Sequence, residues 1–349
     1  MQIAAIAPVL PDNYYDQESL IAAIRHLWAG RHHNVDRLIA IYRNACVKGR
    51  HLALSLEEYE HIETFTDANN AFIKCAVDLG ERAIREAVKK AGLSLVDINH
   101  LFFVSITGIA APSVDALLVN RLNLRNDIKR TPIFGLGCMA GAAGITKAFD
   151  YVKAYPDQVA VVLSVELCSL TLQRNDLSVA NIVSSGLFGD AAAALVVTGG
   201  ERKKAAPVIV DTRSVFYNDT EHIMGWDITS DGFKIVLSGQ TPKIVEAFIR
   251  PDIEKFLADN GLSIKDIGKW AIHPGGPKIL EAVEKSLELS REELALSWKN
   301  LHEAGNVSSA SILMILQDIM DNHCPPDGTY GLYNAMGPGF CSEMGLLRW

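Results

Sequence analysis

The sequence predicts an α/β protein made of two similar halves, with helices packed in layers on mixed sheets. Purely apolar runs, such as LFFVSITG at 101–108, alternate with longer helix-like segments, as buried strands do in α/β proteins. One order of features occurs twice, first as AGLSLVDINHLFFVSITG and later as NGLSIKDIGKWAIHPGG. This long repeat favours two related halves over the alternative of two unrelated α/β lobes. The polar stretch GGERKKAA separates the halves, 1–200 and 201–349.

The individual elements follow from periodicity and turn residues. In the first half, strands are predicted at 2–10, 101–108, 159–167 and 191–199. Helices are predicted at 26–50, 66–91, with Asp67 as the cap, and 113–122. The basic residues of 26–50 indicate either a solvated helix face or a surface for an anion. In the second half, strands are predicted at 207–217, 232–239, 269–276, 329–337 and 341–349, and helices at 243–262 and 302–321.

Length and composition indicate a globular, cytoplasmic protein. The chain has 349 residues, 49% of them hydrophobic, and a net charge of −8, so no general affinity for nucleic acid is expected. No apolar run reaches the length of about 18 residues that suggests a membrane span, and the N-terminus lacks a signal-peptide pattern. The six cysteines form no CxxC pair, which favours reduced thiols over disulfides or a zinc site.

The stretch TPIFGLGCMAGAAGITKAFDY at 131–151 carries the strongest chemical signal. It runs from a β-prone segment into a helix, and Cys138 lies at the join, between glycines that leave the sulfur unshielded. The positive end of a helix dipole favours thiolate, which predicts that Cys138 is a nucleophile with a lowered pKa. A buried free cysteine in a glycine-rich turn is the alternative.

Two downstream residues complete a Cys/His/Asn set. His273 lies in WAIHPGGP at a predicted strand end, and Asn306 lies in AGNVSSAS before an apolar helix. Taken singly, the first fits a loop histidine and the second a helix cap. Together with Cys138 they indicate either a papain-like protease or a thiolase-fold condensing enzyme. The papain signature is missing, because Cys138 is followed by Met-Ala-Gly deep inside the chain.

Five motifs, in order, resemble those of type III polyketide synthases, the chalcone synthase family: GLGCMAGAAG, GLFGDAAAALVV, WAIHPGGP, GNVSSAS and NAMGPGF. The similarity runs from about residue 30 to the C-terminus. It implies a thiolase-like fold and an acyltransferase that extends an acyl-CoA starter with malonyl-CoA by decarboxylative Claisen condensation. It also implies a homodimer that needs neither a metal nor a cofactor.

The resemblance assigns roles to named residues. It makes Cys138 the acyl-accepting nucleophile and gives it His273 and Asn306 as partners. The implied residues of the substrate cavity and its gate are Phe188, Phe233, Ala111, Thr171, Ser308, Gly337, Pro338 and Gly339. The implied coenzyme A contacts are Arg37, Gly275, Gly276 and Lys278. The family's C-terminal GFGPG loop begins here with Ala335-Met336 instead of Gly-Phe, a departure at the cavity wall.

These residue types suit the chemistry independently of the resemblance. A thiolate attacks a thioester, and an imidazolium at His273 would stabilise that thiolate. Loss of carbon dioxide from malonyl-CoA leaves an enolate oxygen, for which His273 and the Asn306 amide supply two hydrogen-bond donors. The apolar pair Phe188 and Phe233 would keep water from the thioester.

Related enzyme classes fit the sequence less well. A ketoacyl synthase III usually has Gln-Ala-Asn after its histidine, where this chain has Pro-Gly-Gly. A hydroxymethylglutaryl synthase needs a glutamate base, and the candidate, Glu166, is interpreted as a strand-end residue. A thiolase needs a second catalytic cysteine, for which Cys341 is the candidate. An inactive homologue that serves as an interaction subunit would usually have lost the nucleophile or its partners.

The expected starter is a medium- or long-chain acyl-CoA, and the expected product is an alkylpyrone or alkylresorcinol. Met224-Gly225-Trp226-Asp227 resembles the corresponding stretch of bacterial members that make such products. Ala111 takes the place of a methionine that lines the partner's cavity in plant members, and the smaller side chain leaves room. Each buried CH₂ of an alkyl chain contributes about 0.8 kcal/mol. The alternative is a malonyl-primed enzyme that makes a small phenol.

Overall fold

The computed structural model describes residues 1–28, 35–200 and 207–349, and for 35–38 it describes the backbone alone. Its strands are β1 (Gln2–Val9), β2 (Asn13–Asp16), β3 (Gly49–Leu52), β4 (Ile98–Val104), β5 (Lys129–Ile133), β6 (Val159–Leu167), β7 (Asp190–Thr198), β8 (Val208–Phe216), β9 (Met224–Thr229), β10 (Gly232–Leu237), β11 (Ile267–Ile272), β12 (Tyr330–Gly337) and β13 (Cys341–Arg348). Its α-helices are α1 (Gln17–Leu27), α2 (Val35–Arg43), α3 (Leu56–Glu60), α4 (Phe65–Lys90), α5 (Val114–Leu122), α6 (Ala140–Ala154), α7 (Val179–Leu187), α8 (Thr241–Asp259), α9 (Pro277–Leu287), α10 (Ala295–Ala304) and α11 (Ala310–Asn322). No helix within the described ranges is long and apolar enough to cross a membrane.

One mixed sheet of nine strands runs through the molecule in the order β11-β12-β13-β8-β1-β7-β6-β4-β5. The strands of the first half therefore lie on one side of it and those of the second half on the other. The two sides meet where β1 and β8 pair at Gln2 and Val208. Main-chain bonds from Ile3 N to Pro207 O and from Ile209 N to Met1 O, each 3.0 Å, extend that junction. The halves are thus joined through a continuous sheet.

The central strands β6 and β7 are buried at every position, which explains their uninterrupted apolar runs. Alternate residues of each strand point to opposite faces. On β6, Ala160 and Val162 pack with α6 and α11, whereas Val161 and Leu163 pack with α4 and α5. The result is a layered α/β core, with the predicted Cys138 helix α6 against one face of the sheet.

The internal repeat is also present as a local structure. In the first copy, Ser94 N donates to Asp97 Oδ2 at 2.8 Å in a short 3₁₀ turn that leads into β4. In the second copy, Ser263 N donates to Asp266 Oδ2 at 2.7 Å in a 3₁₀ turn that leads into β11. The same capping box therefore starts an equivalent strand in each half, because both copies carry Ser-x-x-Asp.

The predicted helix at 26–50 is wrong as a single element. Helix α2 ends at Arg43, Cys46 adopts a φ of +58°, and the chain then enters β3. Gly49 allows β3 to lie close to β2, because a Cβ there would lie 2.8 Å from the backbone oxygen of Tyr15. Arg50, predicted on a helix, therefore lies on a strand and is 3% exposed. Residues 29–34, with Arg31, lie outside the described part.

Two other boundaries also differ from the prediction. The predicted helix at 302–321 is divided, because α10 ends at Ala304, Gly305 has a φ of +73°, and α11 begins at Ala310. The long helix α4 is capped by Thr64, whose side chain accepts from Asp67 N at 3.1 Å, so Asp67 is the N3 residue of a capping box and not the cap. The first difference matters for function, since it creates the loop that carries Asn306.

Candidate active site

Cys138 lies in a 3₁₀ turn at 137–139, directly before α6. Gly137 has a φ of +52°, a conformation that few other residues adopt without strain. One turn later, a Cβ on Gly141 would lie 2.1 Å from Ser309 O. Glycine at this position therefore allows the first turn of α6 to approach the start of α11. That close approach brings Cys138 to the Asn306 loop.

His273 follows the last residue of β11 and is held through its backbone, whose N–H donates to Asn334 O at 2.9 Å. Its side chain is 5% exposed and lines the same cavity as Cys138. Neither ring nitrogen has a hydrogen-bond partner among the described residues. A buried imidazole with both nitrogens open is unusual, and it leaves both free for a thiol and a substrate.

Asn306 lies in the loop between α10 and α11 and is 1% exposed. Its Oδ1 accepts from Ser308 N at 2.8 Å, and its Nδ2 donates to Gly275 O at 3.3 Å. The Asn306 and Ser308 side chains each act to lower the pKa of the Cys138 thiol, against the larger opposite effect of burial. Asn306 is therefore held by its own loop and by the turn after His273, rather than serving as the cap of α11.

The pKa shifts of Cys138 and His273 differ from the prediction. Burial raises the pKa of the Cys138 thiol to about 12 and lowers the pKa of His273 to about 3. The expected lowering by the helix dipole is thus outweighed by the removal of both groups from water, which disfavours their charged forms. Burial therefore favours the neutral thiol and the neutral imidazole over the ion pair.

Glu166 is a site residue whose role the sequence did not reveal. It is fully buried at the end of β6, where Ser308 Oγ donates to its Oε1 at 3.4 Å and Thr107 Oγ1 to its Oε2 at 3.1 Å. Burial raises its pKa to about 7. Ser308 thus contacts Glu166 and lines the same cavity as Cys138, and its backbone has a φ of +49°. The signal available in the sequence was a single acid inside the apolar strand AVVLSVEL.

A cavity of about 1290 Å³ opens in front of Cys138. Most of the predicted site residues line it: Cys138, His273, Asn306, Phe188, Phe233, Thr171, Ser308, Pro338, Gly275, Gly276 and Lys278. The volume exceeds that of an ordinary small-ligand pocket, about 300–1,000 Å³. It has room for a long thioester arm together with a growing chain.

The two predicted gate residues are held in different ways. Phe188 follows α7 and forms an isolated β-bridge with Asn306, so the gate and the proposed oxyanion donor share one short backbone ladder. Phe233 lies on the β9–β10 hairpin and is 3% exposed. Its ring meets Phe65 edge-on at 5.3 Å and lies 5.8 Å from Trp226.

Three predicted site residues with described side chains do not line this cavity. A Cβ on Gly337 would lie 2.5 Å from Leu136 O, so this glycine packs behind the nucleophile turn, and Gly339 serves a turn with a φ of +100°. Ala111 is exposed in the loop after β4. The Arg37 side chain lies outside the described residues. Of the predicted Gly-Pro-Gly floor, Pro338 alone reaches the cavity.

Cys341, the candidate second catalytic cysteine of a thiolase, does not face the cavity either. Its Sγ lies 3.1 Å from Met139 Sδ and 3.2 Å from Pro338 O, in a buried position behind the nucleophile turn. The residue supports the turn and has no route to a substrate on Cys138.

Comparison with known proteins gives a consistent result along the whole chain. The sequence profiles of the chalcone and stilbene synthase N-terminal and C-terminal domains match residues 1–201 and 209–349. The chain is 46% identical over 350 residues to a Streptomyces peucetius subsp. caesius protein named 1,3,6,8-tetrahydroxynaphthalene synthase, with 99% of this chain and 93% of the relative covered. It is 32% identical over 318 residues to the 3,5-dihydroxyphenylacetyl-CoA synthase of Amycolatopsis orientalis, with 90% and 86% covered.

Solved structures agree. The crystal structure of the 1,3,6,8-tetrahydroxynaphthalene synthase of Streptomyces coelicolor A3(2), described as a bacterial type III polyketide synthase, superposes with a TM-score of 0.95 at 29% identity, covering 100% of this chain and 99% of that one. The C-terminal type III polyketide synthase domain of Steely1 from Dictyostelium gives a TM-score of 0.92 at 28% identity, with 99% and 98% covered.

Proposed function

The chain belongs to the chalcone and stilbene synthase family and is a type III polyketide synthase, and we propose that malonyl-CoA serves it as both starter and extender. The proposed product is a small polyhydroxylated aromatic of the tetrahydroxynaphthalene class. The observation that carries this proposal is the full-length similarity to a relative named for that product. Because the chain belongs to this family, a papain-like protease and a ketoacyl synthase III fit the site less well.

The loading step starts from the neutral thiol of Cys138 and the neutral imidazole of His273. His273 accepts the thiol proton as the Cys138 sulfur attacks the thioester carbonyl, the carbon–sulfur bond to coenzyme A breaks, and the proton passes to the departing thiolate. The high pKa of Cys138 and the low pKa of His273 mean that the ion pair exists only briefly. The acylated cysteine then carries no charge in the buried cavity.

The extension step needs hydrogen-bond donors for an enolate. When the next malonyl-CoA loses carbon dioxide, the electron pair of the broken carbon–carbon bond forms an enolate whose oxygen accepts from Asn306 Nδ2 and from the ring N–H of neutral His273. The enolate carbon attacks the acyl carbonyl on Cys138, the carbon–sulfur bond breaks, and the sulfur leaves as a thiolate that takes up one proton from the solvent. The chain, longer by two carbons, is now held on coenzyme A and returns to Cys138 for the next round.

The cavity wall supports a polar chain. Thr107, Cys168, Ser169 and Thr171 line it, so polar side chains form part of the wall of the cavity that holds Cys138. A poly-β-ketone carries a carbonyl on every second carbon, and each carbonyl needs a hydrogen-bond donor when it leaves water. A wall that carries polar side chains therefore suits a poly-β-ketone better than an alkyl chain.

A fatty acyl-CoA starter with an alkylpyrone product is the second candidate. The observation that favours it is an apolar arm of the same cavity, lined by Leu20, Ile24 and Leu27 of α1 and by Leu172. An alkyl chain placed there would gain about 0.8 kcal/mol for each CH₂ removed from water. The two candidates therefore place the starter in different parts of one cavity.

Competition between starters separates the candidates. The protein is incubated with malonyl-CoA alone and with malonyl-CoA plus lauroyl-CoA, and the products are identified by mass spectrometry. We expect a naphthalene-type phenol as the main product of both incubations. A dominant alkylpyrone in the second incubation would transfer the assignment to the fatty acyl starter, and the absence of carbon dioxide release in both would refute the enzyme assignment.

We also propose a homodimer and a coenzyme A site at the cavity mouth. The edge strand β5 has solvent on one side, and exposed apolar residues, Ile109 and Phe134, lie beside it. Pairing with a second copy would cover this edge and would bring Ala111 close to the partner. In this proposal Lys278, which lines the cavity in the first turn of α9 after Gly275-Gly276, binds a phosphate of coenzyme A, and Arg37 is a second proposed contact. Analytical ultracentrifugation tests the dimer.

A further inference from the structure

Arg50 is a buried charge beside the catalytic loop. It lies on β3, is 3% exposed, and lines the cavity behind the gate. Its Nη1 donates to two backbone oxygens, Ser185 O at 2.6 Å and Phe188 O at 2.8 Å. Burying a guanidinium costs free energy unless its N–H groups find hydrogen-bond acceptors. The acceptors of Arg50 therefore indicate which parts of the chain it stabilises.

The first group that Arg50 holds is the C-terminal end of α7. The last carbonyls of a helix lack intrahelical partners and carry a negative partial charge. Arg50 donates to Ser185 O. Gln17 Nε2 donates to Gly186 O at 3.0 Å, and the Tyr42 hydroxyl donates to Ser185 Oγ at 2.7 Å. The turn that leads from α7 into Phe188 is therefore held by side chains from three other segments of the chain.

The second group is the Asn306 loop. Gly189 N donates to Asn306 O at 3.0 Å, and Asn306 N donates to Leu187 O at 2.9 Å. The aliphatic part of the Arg50 side chain packs beside this ladder. A Cβ on Gly305 would lie 3.2 Å from Arg50 Cδ, and one on Gly189 would lie 3.5 Å from Arg50 Cγ. The guanidinium and its stem thus contact both strands of the short ladder.

We propose that Arg50 is a positioning residue, which ties the segment of the gate residue Phe188 to the loop of Asn306 and so sets the place of the enolate donor. The inference rests on the proposed function, because it assigns Asn306 to the decarboxylation step. Arg50 acts through the backbone of these two segments and does not touch the reacting atoms. A methionine of similar length would leave Ser185 O and Phe188 O without a donor and the ladder without its clamp.

The test compares R50M with R213M. Arg213 is a matched control, since its guanidinium is about one quarter exposed, pairs with Asp259 at 2.8 Å, lies 5.0 Å over the Phe256 ring, and does not line the cavity. The measurements are carbon dioxide release from malonyl-CoA, the KM for malonyl-CoA, the intact mass of acylated Cys138, and Tm. For R50M we expect kcat to fall about ten-fold or more while KM and acylation stay within about two-fold. For R213M we expect a lower Tm and an unchanged kcat.

A double mutant distinguishes positioning from general damage. If Arg50 acts through Asn306, R50M in an N306A background lowers decarboxylation by less than about two-fold further. A wild-type kcat in R50M, an equal loss in R213M, or a full ten-fold loss in the N306A background would overturn the inference. If R50M does not fold, R50K serves instead, since lysine keeps the charge but cannot reproduce the geometry of the guanidinium donors, and a wild-type kcat in R50K then overturns it. Wild-type protein that releases no carbon dioxide would refute the proposed function instead.

Discussion

The substitution Gly141→Ala tests how closely the two helix starts must approach for catalysis. The new Cβ would lie 2.1 Å from Ser309 O and 2.9 Å from Ile312 Cγ2, and real Cβ contacts essentially never fall below 3.0 Å. The first turn of α6 must therefore move from α11 by about 0.9 Å. A displacement of about 1 Å in a catalytic constellation costs about 10²-fold in rate. Stability changes less, because overpacking costs about 1–3 kcal/mol while alanine in a helix gains about 1 kcal/mol over glycine.

The assay is carbon dioxide release from malonyl-CoA, with Tm measured on the same preparation. Gly144→Ala is the matched control on the same helix, since its Cβ would lie 2.6 Å from Val162 Cγ1, within the core and away from the Asn306 loop. We expect G144A to lose stability and to keep more of its rate than G141A. A G141A protein with wild-type rate, or a G144A protein with the same rate loss at equal stability, would refute the reasoning.

Cys138→Ala should abolish product formation, as measured by mass spectrometry, because it removes the thiol that shares the cavity with His273 and Asn306; residual product would point to another nucleophile, such as Cys168 in the same cavity. Asn306→Ala should leave acylation of Cys138 intact but lower decarboxylation by about 10²–10³, and a normal release of carbon dioxide would remove its donor role. Glu166→Gln should flatten the pH dependence of stability. The pKa of Glu166 is raised to about 7 in the fold. Its contribution to the free energy of unfolding is therefore complete below about pH 4.5 and falls by about 3 kcal/mol as the pH rises to about 7. Equal slopes of Tm against pH in the wild type and the variant would contradict this. Ala111→Trp should change the chain length of the products if this loop lines a partner's cavity, and an unchanged product profile would argue against that.

Local sequence determined much of this protein. The apolar runs predicted β6 and β7, whose residues are buried throughout, because strands with helices on both faces need no polar side. The repeat was readable because a capping box joins residues three positions apart, as at Ser94 and Ser263. The Cys/His/Asn set was readable for a similar reason, since each residue lies in a short motif at the end of a regular element.

Only the tertiary structure decided how those residues are supported and charged. Arg50 was placed on an exposed helix by its neighbours in sequence, yet it bonds to Phe188 O across 138 positions. Glu166 joins Ser308 across 142 positions, and nothing in its own strand announces that contact. The pKa of Cys138 followed burial rather than the dipole of its own helix. Burial and long-range hydrogen bonds arise when distant segments meet, so the local sequence determines which groups are present and the packing determines their protonation and their partners.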